Sequence, residues 1–249
     1  MAETLYGHHA VLEALRAGRR RFQQVWLAEG VHQGGDVGQI LRLAEQARLR
    51  VSQVRRDRLD SLCARANHQG VAAEVSDYPY ADWDEIVQGA KAGAEMPLLL
   101  LLDRLQDPQN VGTLLRTAEA AGVHGVALLA HRAAGITPAV SNASAGAVEH
   151  LRIAQVTNLT QTIKALKGQG VWIVGLERAP GSADPGAVDL NMPLALVVGS
   201  EGEGLSRLVR ENCDLLLQLP MRGRIGSLNA AVAGSVALYL ALEAREQAR

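Results

Sequence analysis

Cysteine is scarce in this sequence: Cys63 and Cys213 are the only two among 249 residues. That excludes a disulfide framework and a four-cysteine zinc site, and neither thiol has a histidine on its own local element to make it a nucleophile. Seven histidines are scattered without a His-Glu-x-x-His or comparable spacing, so no metal is expected. Long apolar runs are missing too. The longest purely aliphatic one covers residues 98–102, far short of the roughly 18 needed to cross a bilayer. The N-terminal Met-Ala-Glu-Thr-Leu-Tyr-Gly-His-His lacks the basic and then apolar pattern of a secretion signal, and a cytoplasmic protein without a membrane span is expected. Hydrophobic residues at 48% and charged residues at 20% fit a globular protein and exclude a disordered or collagen-like chain.

A strong net charge is also absent, at −1, which by itself argues against a nucleic-acid partner. The average conceals an asymmetry. Residues 1–75 carry 11 Arg, no Lys and 8 acidic residues, a net +3 with four His besides, and the remainder carries net −4. The basic groups include the cluster Arg19, Arg20 and Arg21 and the pair Arg55 and Arg56. Guanidinium forks suit phosphates and stacked bases, while a solvated surface is the plainer reading of the same charges.

The pattern divides the chain. Residues 22–28, 51–54 and 70–75 read as strands around a helix at 37–47, a small α/β unit over 1–75. Between 76 and 97 the pattern dissolves into Asp-Tyr-Pro-Tyr-Ala-Asp-Trp and a short helical stretch, which marks a linker. From 98 to 249 a second alternation runs, with strands at 98–102, 125–129, 171–176, 194–198 and 215–219. Helices are expected at about 111–121, 159–167, 205–211 and 228–246. Continuous aliphatic strands predict a parallel sheet covered on both faces, so the fold class is α/β.

Three polar or Gly-rich segments each follow a strand of this second domain, where open α/β sheets place ligands. They are residues 107–116, 199–204 and 220–229. No Gly-x-x-x-x-Gly-Lys-Ser/Thr occurs, which removes a P-loop NTPase. Gly199, Gly202 and Gly204 do not make Gly-x-Gly-x-x-Gly, and Glu201 and Glu203 between them would repel a pyrophosphate, which disfavours an NAD-dependent dehydrogenase. A Gly-rich bend around a cofactor without phosphate, such as the sulfonium cation S-adenosylmethionine, suits the segment better.

These residues resemble the SpoU-type RNA ribose 2′-O-methyltransferases of the SPOUT class. The signature runs Asn110-x-Gly112-x-x-x-Arg116-Thr-Ala118, then Gly199-x-Glu201-x-x-Gly204, then Pro220-Met-x-Gly223 to Ser227-Leu228-Asn229. Tyr6-Gly-x-His-Ala-Val11 and His68-Gln-Gly70 are similar to the ends of that family's small N-terminal RNA-binding domain, so the likeness covers nearly the whole length. It is greatest to the enzymes that methylate a guanosine ribose of large-subunit rRNA, with tRNA as the other substrate class. The resemblance implies a trefoil knot in the C-terminal domain, S-adenosylmethionine held near Gly199, Leu219 and Leu228, and a homodimer whose sites are completed near the partner chain. Gly226 and Ala231 depart from the family pattern, which puts a polar contact beside the donor in question.

The resemblance also implies the roles. Asn110, Arg116, Glu201, Ser227 and Asn229 would form the catalytic set. A free guanidinium is too weak an acid to serve as a base, so Arg116 is expected to orient the ribose hydroxyl and a neighbouring phosphate, with late proton loss. Glu201 would fix Arg116 or Asn229 by a charge-assisted bond. Plainer readings stand beside these: a surface arginine, N-caps at Asn110, Ser227 and Asn229, and a first-turn glutamate. A non-catalytic RNA-binding or ribosome-assembly protein is the competing function.

Overall fold

The structure, a computed structural model, describes residues 2–131 and 133–248. It divides into two compact units, 1–79 with 136–150, and 80–135 with 151–249. The chain therefore passes between them three times.

The first unit is a four-stranded sheet in the order β1-β4-β2-β3, from β1 (Ala2–Tyr6), β2 (Phe22–Ala28), β3 (Arg50–Val54) and β4 (Val71–Ser76). β4 is antiparallel to both neighbours, and β2 and β3 are parallel. Strand periodicity sorts its side chains: Val71, Ala73 and Val75 join Leu5, Val25 and Leu27 in one core with α1 (His8–Ala17) and α2 (Gly35–Gln46). Ala72 and Ala28 face the other way, against Leu59 and Cys63 of the segment around α3 (Arg56–Leu62). The two ends matching the family pattern meet here. Gly7, at φ +88°, caps α1 and its N–H donates to the Val71 carbonyl at 3.1 Å, while the His8 ring bonds the Gln69 carbonyl at 2.7 Å.

Residues 136–150, which carry α6 (Pro138–Ala143), belong to this unit although they fall within the second alternation in sequence. Arg20 explains it. Its side chain is fully buried and ion-paired at 2.9 Å to the equally buried Glu149, with Glu3 at 2.7 Å on the other side. Arg19 donates to the carbonyls of Glu149 and Pro79, each at 3.1 Å, and both guanidiniums lie over the Tyr78 ring. Two of the three clustered arginines are thus committed internally. Arg21, Arg42, Arg48, Arg50, Arg58 and Arg65 remain exposed, and no described residue pairs with them.

The second unit is a six-stranded, fully parallel sheet in the order β10-β8-β9-β5-β6-β7. Its strands are β5 (Leu98–Asp103), β6 (Gly125–Leu129), β7 (Ile153–Val156), β8 (Trp172–Leu176), β9 (Leu194–Gly199) and β10 (Leu215–Leu217). β5 and β9 are buried along their full lengths, as expected of central parallel strands. One face packs on α4 (Trp83–Ala92) and α7 (Leu159–Gly168) through Ile86, Val87, Leu159 and Ile163. α5 (Pro108–Ala120) and α9 (Ala230–Gln247) pack against each other, and Gly234 lets α9 approach closely: a Cβ there would lie 2.8 Å from Leu114 and 3.1 Å from Val198. α8 (Arg207–Asn212) precedes β10. The strand read to 219 stops at Leu217, which frees Gln218 and Leu219 to line a cavity. Among the described residues no helix is long and apolar enough to cross a membrane.

Candidate active site

The ends of β8, β9 and β10 surround a cavity of about 390 Å³. Its apolar wall comes from Leu176, Val198, Leu217, Leu219 and Leu228, and its polar groups from Glu177, Arg178, Ser200, Glu201, Glu203, Gln218 and Ser227. The location follows the rule for open parallel sheets, beyond the carboxyl ends of the strands.

Gly199 closes β9 and is followed by a tight loop in which Ser200 and Gly204 exchange backbone hydrogen bonds of 3.1 Å. A Cβ on Gly199 would fall on the Gly204 carbonyl, so the glycine is required by the loop's own backbone. Gly202 and Gly204 have φ of +88° and +68°, the left-handed region glycine tolerates. Asp103 at the end of β5 anchors the next residues, accepting from the Ser206 N–H at 2.6 Å.

The three motif segments converge. Asn229 Nδ2 donates to Asn110 Oδ1 at 2.8 Å, and Asn110 Nδ2 donates to Glu201 Oε1 at 2.7 Å. Glu201 therefore holds Asn110 directly and Asn229 only through it; Arg116 is not its partner. Asp107 is the N-cap of α5, accepting from the N–H groups of Gln109 and Asn110 at 3.2 Å, which leaves the Asn110 amide for the relay. Asn229 does cap α9, its Oδ1 accepting from Ala231 N at 2.9 Å and Val232 N at 3.2 Å. One amide fills both roles because its oxygen caps and its nitrogen reaches Asn110. Ser227 lines the cavity. Arg116 is exposed on α5, outside the cavity lining, and no described residue bonds it.

The cavity's chemistry suits a cationic, phosphate-free cofactor. From Leu219 to Leu228 no backbone N–H donates to another described backbone group, so this wall offers unspent donors beside apolar side chains. Glu203 is paired with Arg104 at 3.1 Å and Glu177 with Arg210 at 2.6 Å, whereas Glu201 is held only by a neutral amide. A pyrophosphate would meet the uncompensated Glu201 carboxylate unfavourably; an adenosyl sulfonium would not.

Residues 97–239 match the SpoU rRNA Methylase family, and residues 4–81 match the RNA 2′-O ribose methyltransferase substrate-binding family. The chain belongs to the SpoU methylase family. It is 43% identical over 233 residues to the TrmH family tRNA/rRNA methyltransferase YacO of Bacillus subtilis, covering 94% of this chain and 92% of that protein. Among solved structures, the SpoU methyltransferase AviRb from Streptomyces viridochromogenes in complex with AdoMet superposes with a TM-score of 0.80 at 26% identity, covering 99% of this chain and 91% of that one. An RNA 2′-O ribose methyltransferase superposes with a TM-score of 0.78 at 25% identity, over 98% and 89% of the two chains. This SpoU methylase is accordingly an S-adenosylmethionine-dependent RNA 2′-O-ribose methyltransferase.

Sequence reasoning missed Glu177 and Arg210. A lone glutamate after a strand carries no motif, and its pairing with a residue 33 positions on emerges only from the fold.

Proposed function

We propose that this SpoU methylase modifies a guanosine ribose of large-subunit rRNA, as a homodimer in the cytoplasm. The observation that carries the catalytic part of the reading is the Asn229–Asn110–Glu201 relay, whose Glu201 end lines the cavity and which joins all three motifs in one hydrogen-bonded chain. A non-catalytic scaffold would have no need of that arrangement.

Bound S-adenosylmethionine supplies a methyl group on a sulfonium, ready for in-line displacement. Gly199, Leu219 and Leu228 would hold the adenosine by backbone and apolar contact, and the relay aims the Glu201 carboxylate as the counter-charge. Ser227 and Asn229 position the incoming 2′-hydroxyl. Arg116 lies outside its own chain's cavity, so it acts at the partner's, orienting the hydroxyl and the adjacent phosphate. Exposed Val232, Val236 and Tyr239, spaced four and three residues apart on α9, supply an apolar stripe for the partner copy. In this reading the path from β9 to α9 threads the trefoil knot, and the first unit grips RNA through its free arginines. The name of the Bacillus relative covers both substrates, so a tRNA ribose is the second reading.

Mapping 2′-O-methyl marks on total RNA with and without the gene tests this. Loss of one guanosine mark in large-subunit rRNA is expected, a lost tRNA mark would transfer the assignment to tRNA, and an unchanged map in both would overturn it.

A further inference from the structure

Glu177 follows β8 and forms part of the cavity wall. Its backbone is fixed on both sides: its N–H donates to the Leu217 carbonyl at 3.0 Å, and its carbonyl accepts from Ser182 Oγ at 2.9 Å. The side chain is only 16% exposed. Arg210 grips it with both arms of the fork, Nε to Oε2 at 3.0 Å and a terminal nitrogen to Oε1 at 2.6 Å. The carboxylate also packs against the glycine corner of the loop, for a Cβ on Gly204 would lie 3.6 Å from its Cδ.

The chemistry of this carboxylate differs from that of Glu201. Each oxygen spends one lone pair on Arg210 and keeps another, so two parallel acceptors remain on a rigid wall while the guanidinium offsets the charge. Such a group has little preference for a cation and a strong one for two neutral hydroxyls. A carboxylate at the end of a parallel strand bonding a nucleoside's ribose hydroxyls is an established solution in dinucleotide folds. Glu201, whose charge no described cation offsets, is left to face the sulfonium end.

We infer that Glu177, held by Arg210, receives the 2′,3′-diol of the donor's adenosine and so fixes which way round the donor lies in the cavity. The inference rests on the cavity being the donor site.

Calorimetric titration of the wild-type chain and of Glu177→Gln with S-adenosylhomocysteine, 5′-methylthioadenosine and the 2′,3′-dideoxy analogue of 5′-methylthioadenosine tests it. Glu177→Gln is expected to weaken the first two ligands alike, by about tenfold, and to leave the dideoxy analogue bound as by wild type. Glu177→Asp, which keeps the charge and shortens the reach, should repeat the pattern. An equal loss for the dideoxy analogue would reduce Glu177 to a structural group. A loss for S-adenosylhomocysteine alone would place it at the amino-acid end, and unchanged binding of all three would remove it from the site. Amide exchange separates the underlying reading: S-adenosylhomocysteine should slow exchange across 219–228 in the wild type, and no protection there would put the donor elsewhere.

Discussion

Asn229 donates to Asn110 across 119 positions of sequence while its own oxygen caps α9. One side chain thereby couples the start of α9 to the start of α5. Asn229→Ala should lose the cap, costing about 1 kcal/mol in denaturant unfolding, and release Asn110 as well. Asn229→Asp keeps the capping oxygen and removes the donor, so it should retain most of the stability while losing turnover. The two variants separate the cap from the relay, and comparable turnover in wild type and Asn229→Asp would leave the relay without a catalytic part.

Gly199 tolerates no side chain, because even a Cβ meets the Gly204 carbonyl. Gly199→Ala should therefore suffice to abolish donor binding in calorimetry, with no need for a bulkier residue. Mixed with Arg116→Ala chains under conditions of subunit exchange, it should restore activity, since one composite site then has both parts intact. No recovery with exchange confirmed would place Arg116 and Gly199 in the same-chain site.

The parallel sheet was legible in runs such as Leu98–Leu102 because buried parallel strands need no polar alternation. So was the convergence of the three loops, because each follows a strand. β7 was too short to stand out at four residues, and α1 follows a glycine at positive φ with no side-chain cap to announce it. Residues 136–150 were not assignable from pattern at all. Their place depends on Arg20 meeting Glu149 across 129 positions, a pairing without local signature. The same pairing withdraws Arg19 and Arg20 from the cluster that charge alone offered to RNA.

Arg20→Met should be strongly destabilising, by about 3–5 kcal/mol in chemical unfolding, because it strands Glu149 as a buried charge. For the same reason removal of residues 1–75 should leave 136–150 open to proteolysis. Donor binding should survive that truncation, since every cavity residue lies in the second unit, while RNA affinity and its steep salt dependence should fall. Equal RNA affinity for the truncated and full chains would contradict a substrate role for the first unit.

Burial, aided by Asp214, pushes the Cys213 thiol up from 9.0 to about 12. The folded chain keeps this proton where the unfolded chain has lost it, so stability should fall as pH rises from about 9 towards 12 and be unaffected by this group below 9. At pH 8 Cys213 should resist a thiol reagent until the protein unfolds. Rapid labelling of the native chain at Cys213 would contradict that environment.

The most direct measurement is single-turnover transfer of labelled methyl from S-adenosylmethionine to RNA purified from cells lacking the gene, with the product digested to locate the label. The expected result is label on a ribose 2′-oxygen. Arg116→Ala should be slower by a factor on the order of 100 with donor affinity unchanged, and Arg116→Lys should recover little. Label on a base, or turnover by Arg116→Ala at the wild-type rate, would contradict the account.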